Sequence, residues 1–215
     1  MIAIIDYQAG NQTSVRRALD SLGVPSRITD DPQILRSAEG VIFPGVGAAG
    51  QAMARLKATG LDQEIINLTQ AHKPFLGICL GCQIMLERSE ENDTQTLGVL
   101  AGQTIRFKNG VLDEAGLPIR IPHMGWNEVR LTQPSPLWAG IDPRDQFYFV
   151  HSYYPAPRED LILGVTGHGH EFTSLMGRDG LWAAQFHPEK SGPPGLKILK
   201  NFYNYCKGHS CSVKD

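Results

Sequence analysis

Pro74-Phe75-Leu76-Gly77-Ile78-Cys79-Leu80-Gly81-Cys82-Gln83 is the stretch whose reading decides the fold. Phe75 to Ile78 is an apolar run and predicts a buried strand. Gln83-Ile84-Met85-Leu86-Glu87 predicts a helix. Cys79 therefore falls on a sharp strand-to-helix turn, with a glycine two residues before it and another two residues after it. Such a turn is crowded, and glycine relieves the crowding. This is a nucleophile elbow with Cys in place of Ser. The geometry predicts a Cys79 sulfur standing above a sheet, its thiolate favoured by the helix N-terminus. It also predicts a backbone N–H of Leu80 aimed where an oxyanion develops.

Upstream, the chain supplies the sheet this turn needs. Ile2 to Ile5 is continuously apolar, as expected for a strand covered on both faces. Asn11 is placed to cap a helix carrying Val15, Ala18, Leu19 and Leu22. Val24 to Ile28 predicts a second strand, Asp31-Pro32 a short helix, and Gly40 to Phe43 a third strand broken by Pro44-Gly45. Helices follow near 48–57 and 61–71. Strand–helix alternation over about the first 90 residues predicts a mostly parallel, open α/β sheet flanked by helices. Past about residue 95, short runs at 104–107, 127–131, 147–150, 161–165, 172–176 and 181–186 predict an added antiparallel strand region. Gly177-Arg178-Asp179-Gly180 reads as a hairpin turn. A last helix, about 195–206, ends in a frayed tail over 207–215, and the whole chain of 1–215 reads as one domain.

Composition narrows the function classes. The chain has 215 residues, 41% of them hydrophobic and 20% charged, ordinary for a globular protein. A net charge of -2 argues against nucleic acid as a partner. No apolar run approaches the roughly 20 residues that span a bilayer. Met1 leads straight into a strand, which predicts no signal peptide. Four unevenly placed cysteines fit a reducing, cytoplasmic setting better than a disulfide framework.

A Cys nucleophile needs an imidazole to move its proton, and the imidazole needs a carboxylate to fix its tautomer. Ala184-Gln185-Phe186-His187-Pro188-Glu189 supplies both at a strand end, with proline holding the two side chains in a defined relation. Cys79, His187 and Glu189 are the candidate triad. Phe43-Pro44-Gly45-Val46-Gly47 closes another buried strand and is the natural source of a second oxyanion donor.

Blander readings attach to the same residues. Cys79-Leu80-Gly81-Cys82 is literally C-x-x-C, a redox pattern, and His168-Gly169-His170 suggests zinc. Neither explains Gly77, Gly81 or His187-Pro188-Glu189, and Cys82 reads as packing behind the elbow. Gly45-Val46-Gly47-Ala48-Ala49-Gly50 matches the dinucleotide pattern G-x-G-x-x-G. It lies outside the first strand–helix unit and lacks the acidic residue at a strand end roughly 20 positions on. No cofactor and no metal is expected.

Gly77-Ile78-Cys79-Leu80-Gly81, His187-Pro188-Glu189 and Pro44-Gly45-Val46-Gly47 together resemble the class I (triad) glutamine amidotransferases. Asp6-Tyr7 with Gly10-Asn11, Pro122-His123-Met124-Gly125-Trp126-Asn127 and Tyr148-Phe149-Val150-His151-Ser152-Tyr153 narrow the resemblance to the glutaminase subunits of imidazole glycerol phosphate synthases. It runs from about Ile2 to Phe202. The resemblance implies that Cys79 attacks the side-chain amide of glutamine while Val46, Gly47 and Leu80 hold the oxyanion. It implies that the Val46 peptide reorients before the hole is complete. Gln83, Glu91, Ser152 and Tyr153 match substrate-binding positions. Asn11, Trp126, Tyr148 and Lys190 match the interface with a (β/α)8-barrel cyclase, which takes the ammonia as the other half of a heterodimer in histidine biosynthesis. Gln8, where the family usually has Gly, and Cys82, where it often has Met, are departures. Two alternatives stay open: a subunit of another amidotransferase, serving anthranilate, carbamoyl phosphate or pyridoxal phosphate synthesis, and a non-catalytic partner-binding domain.

Overall fold

The computed structural model describes residues 1–8, 10–113 and 115–209. In chain order the strands are β1 (Ile2–Ile5), β2 (Ser26–Thr29), β3 (Gly40–Gly45), β4 (Phe75–Cys79), β5 (Arg88–Ser89), β6 (Thr94–Gln95), β7 (Gly102–Arg106), β8 (His123–Glu128), β9 (Arg130–Leu131), β10 (Gln146–His151), β11 (Tyr153–Pro157), β12 (Ile162–Gly167), β13 (Glu171–Arg178) and β14 (Leu181–Ala184). The α-helices are α1 (Gln12–Ser21), α2 (Pro32–Ser37), α3 (Ala49–Thr59), α4 (Leu61–Gln70), α5 (Leu80–Ile84) and α6 (Gly192–Gly208).

The main sheet has eight strands in the order β2-β1-β3-β4-β14-β13-β12-β9. The pairs from β2 through to β14 are parallel, and β13, β12 and β9 add an antiparallel wing. The continuous apolar runs have a direct cause. On β1, Ile2 and Ile4 pack into one core with α1 and α6, while Ala3 and Ile5 pack into another with α2, α3 and α4. Both sheet faces are covered, so every position of the strand is apolar. Each fully buried Ile or Phe contributes about 1.5–3 kcal/mol relative to exposure.

Register places the site. Gly45 on β3 lies opposite Cys79 on β4, and Ala184 on β14 lies opposite Ile78. The carboxyl ends of β3, β4 and β14 therefore converge, and in open α/β sheets that edge is where ligands bind. Two smaller sheets, β10-β8 and β11-β7-β5-β6, lie outside the main one.

Several expectations need correction. The elbow helix begins directly at Leu80 and ends at Ile84, so it starts three residues earlier than 83–87 and has the same length. Five residues add little dipole to the thiolate. Asn11 sits at the N-cap position of α1 but makes no side-chain cap bond. The run read as one strand at 127–131 is two, β8 and β9, which join different sheets. Helix α6 reaches Gly208 and takes in two residues of the expected frayed tail; His209 follows at its C-cap, and 210–215 lie outside the described residues.

Candidate active site

Cys79 ends β4 at φ 54 and ψ -109, a strained conformation for a residue with a Cβ. Its neighbours must be small. A Cβ on Gly81 would stand 1.9 Å from the Phe43 carbonyl oxygen, and one on Gly77 would stand 2.5 Å from Met85 Sδ. The G-x-C-x-G spacing is thus demanded by contact with β3 and with the residue capping α5.

His187 follows β14, and its backbone N–H donates to the Tyr148 carbonyl at 2.9 Å. Pro188–Lys190 forms a 3-10 turn that folds Glu189 back onto the ring. His187 Nδ1 and Glu189 Oε1 lie 2.7 Å apart, with both side chains fully buried. The Asn11 amide donates to the same Oε1 at 2.7 Å. His187 Nε2 is buried and makes no hydrogen bond of ordinary geometry, yet Cys79 lies near enough for its charge to act on the ring. Burial opposes the imidazolium, but the Cys79 thiolate and the Glu189 carboxylate outweigh it and raise the His187 pKa to about 10. The arrangement suits an imidazolium–thiolate pair oriented by a carboxylate.

Beside Cys79 opens a pocket of ≈ 390 Å³, lined by Val46, Gly47, Leu80, Gln83, Glu91, Ser152 and Tyr153, with Pro122, Val150 and His151. Every residue expected to hold the oxyanion or the substrate is in this lining. Gly47 has φ 95, and nothing lies within 4 Å of where a Cβ would stand, so the backbone conformation, not crowding, calls for glycine there. The Gln83 amide donates to the Tyr153 carbonyl at 2.7 Å and to Gln185 Oε1 at 2.9 Å. Both its N–H groups are thereby used, which leaves its oxygen to accept from a ligand. Gln185 Nε2 in turn lies 3.7 Å from Cys79 Sγ. Sequence reasoning assigns Gln185 no role; its position beside a strand end and the His-Pro-Glu run is the signal that could have found it.

The rival readings find no support in these contacts. Cys82 is fully buried, and burial, then the nearby Cys79, pushes its thiol well above the usual range. The first backbone N–H of α3, that of Ala49, is taken by the Glu91 carboxylate at 2.6 Å, where a dinucleotide loop would present it to phosphate. His168 and His170 bond to the Arg120 carbonyl and the Tyr154 hydroxyl.

The expected interface residues separate into two groups. Trp126 is 54% exposed, Lys190 is exposed, and the half-buried Tyr148 ring lies 6.0 Å from the Trp126 ring and 6.4 Å from His187. Asn11 differs: it is 4% exposed, and its amide is committed to Glu189 instead of facing outward. Gln8 adopts φ 61, in the left-handed region that favours glycine, and its N–H is held by Asp6 Oδ1 at 3.0 Å.

Comparison with known proteins agrees with this geometry. The family model for class-I glutamine amidotransferases matches residues 3–206. The chain is 60% identical over 207 residues to the imidazole glycerol phosphate synthase subunit HisH of Maridesulfovibrio salexigens, covering 96% of this chain and 98% of the relative. It is 58% identical over 207 residues to the protein of that name from Nitratidesulfovibrio vulgaris strain Miyazaki F, with the same coverage. Among solved structures, a glutamine amidotransferase superposes with a TM-score of 0.71 at 18% identity, covering 96% of this chain and 100% of that one. The PurLQS structure from Thermotoga maritima gives 0.70 at 17% identity, covering 95% and 97%. At such identities the two structures speak for the fold alone. The full-length relatives carry the assignment further, and the chain belongs to the class-I glutamine amidotransferase family, in the branch of the HisH subunits of imidazole glycerol phosphate synthase.

Proposed function

We propose that this chain hydrolyses glutamine to glutamate and ammonia and delivers the ammonia to a partner subunit of an imidazole glycerol phosphate synthase. The observation that carries the reading is the meeting of Cys79 with the buried His187–Glu189 pair beside a pocket that Gln83 helps to line.

The Cys79 thiolate attacks the side-chain amide carbon of glutamine, and the carbonyl π electrons move onto oxygen. The Leu80 N–H and an N–H of the Val46–Gly47 segment hold that oxyanion. As the tetrahedral intermediate collapses, the C–N bond breaks and His187 gives its proton to the departing ammonia. Water then attacks the γ-glutamyl thioester while His187 takes its proton, and the thiolate leaves glutamate. Glu189 keeps Nδ1 protonated throughout. Gln83, Glu91, Ser152 and Tyr153 bind the glutamine. Trp126, Tyr148 and Lys190 face the partner, a (β/α)8-barrel cyclase in a cytoplasmic heterodimer of histidine biosynthesis. Met124, two residues before Trp126 on β8, is exposed as well, so apolar area is available there for a partner to cover. The same chain reads as one domain.

The test is glutamate release from glutamine by the chain alone, then with the cyclase and its ribosyl ligand. A large rise in the complex supports partner-gated glutaminase activity. Full activity alone removes the gating. No activity in either condition removes the enzyme reading.

A further inference from the structure

His123 and His151 lie directly opposite each other on β8 and β10. Both are 5% exposed, and the proposed mechanism uses neither. Their hydrogen bonds can be followed donor by donor. The Asn127 side chain is fixed at both ends: its oxygen accepts from the Glu128 backbone N–H at 2.9 Å, and its nitrogen donates to the Gly167 carbonyl at 2.9 Å. The second proton of that nitrogen faces His123 Nε2 at 3.2 Å, so Nε2 must be the bare acceptor. At the other end, His151 Nδ1 lies 2.8 Å from the Tyr153 carbonyl, which can only accept, so Nδ1 carries the proton there. Between the rings, His123 Nδ1 meets His151 Nε2 at 3.1 Å.

Two independent ends thus give one answer. A bare Nε2 on His123 puts its proton on Nδ1, and a protonated Nδ1 on neutral His151 leaves Nε2 bare to receive it. A doubly protonated ring at either place would set N–H against N–H. The surroundings agree. Burial, then His168, lowers the His123 pKa to about 4. Burial, then His123, holds His151 well below the usual range, with His168 and His187 acting in the same direction against the Tyr153 bond. The chain ends on a useful atom. The Tyr153 carbonyl also accepts from Gln83, whose other N–H goes to Gln185, the neighbour of Cys79. The carbonyl is therefore held from one side by His151 and holds Gln83 on the other.

We propose that His123 and His151 are positioning residues for glutamine: locked by Asn127 as a pair of neutral Nδ1–H tautomers, they anchor the Tyr153 carbonyl and through it the orientation of the Gln83 amide in the pocket. The proposal rests on the reading of that pocket as a glutamine site. Without the His151 donor, the Tyr153 carbonyl, though still in a strand paired with β7, loses one of its two side-chain donors, and the Gln83 amide is aimed at a less firmly held acceptor.

Two measurements test it. Long-range 1H–15N imidazole spectra of the 15N-labelled full chain at neutral pH read which ring nitrogen is protonated. The expected result is Nδ1–H with bare Nε2 on both His123 and His151; a proton on Nε2 of either ring overturns the proposal and needs no variant to fold. In the complex with the partner, His151→Leu raises the glutamine KM roughly tenfold with kcat nearly unchanged, the effect of one buried hydrogen bond. His151→Asn, whose side-chain N–H replaces Nδ1–H, recovers most of the loss. An unchanged KM in His151→Leu, or a loss confined to kcat, overturns the positioning role. Failure of the glutamine reading has a different signature: the wild-type complex itself does not release glutamate.

Discussion

Asn11 and Glu189, 178 positions apart in sequence, share a hydrogen bond of 2.7 Å, made to the carboxylate oxygen that also faces His187 Nδ1. The bond makes the loop before α1 a support for the triad. It acts at a distance from the sulfur by fixing the group that fixes the imidazole. Asn11→Ala removes a donor to a buried carboxylate, worth about 1.5–3 kcal/mol. Turnover of glutamine in the complex should fall roughly ten- to a hundredfold if the bond is realised in the transition state. Affinity for the partner, read by calorimetry, should change little. Strong loss of affinity with unchanged turnover would return Asn11 to the interface.

The glycines flanking Cys79 make different demands. Gly81→Ala drives a Cβ into the backbone oxygen of Phe43, which cannot move without shifting β3, and should cost about 3 kcal/mol by denaturant unfolding. Gly77→Ala meets first the flexible end of Met85, so its cost should shrink by at least about 0.5 kcal/mol in a Met85→Ala background. Equal costs in both backgrounds would show that the backbone of Gly81, which lies 3.1 Å from the same Cβ, sets the limit.

The His187 imidazolium depends on the charge beside it. In Cys79→Ala the ring should titrate well below about 10, as read by NMR. The sign for stability follows. The folded pKa lies above the free value of roughly 6.5. The contribution is therefore fully present below that pH and is lost as pH rises through about 10. Wild type should lose stability over this window more steeply than Cys79→Ala. Identical slopes would mean that the thiolate does not face the ring.

Trp126 is more than half exposed and rests edge-on against Tyr148. Trp126→Ala should leave the stability of the isolated chain within about 0.5 kcal/mol. It should cost roughly 2 kcal/mol of partner affinity if the ring is an interface anchor. The reverse pattern, a destabilised chain with normal affinity, would mark it as a core residue.

The sequence made some of this plain and hid the rest for physical reasons. Ile2–Ile5, Gly40–Phe43 and Phe75–Ile78 were readable because strands buried on both faces are apolar at every position. The elbow was readable because its glycines answer local crowding. Strand β11, with Pro155 and Pro157, escapes a reading by pattern; prolines fit there because it is the edge of its sheet, which the sequence does not state. The roles of Asn11, Gln185 and the His123–His151 pair depend on contacts between distant segments and on cross-strand register. Asn11 shows the difficulty well: it occupies a helix-cap position, and its amide is spent elsewhere.

The most direct test of the central claim is to trap the covalent intermediate. The complex is quenched in acid during turnover of glutamine, digested, and analysed by mass spectrometry. A γ-glutamyl group is expected on the peptide carrying Cys79, retained in Cys82→Ser and absent in Cys79→Ala. Turnover without an adduct on Cys79, or an adduct on Cys82 in its place, would contradict the account.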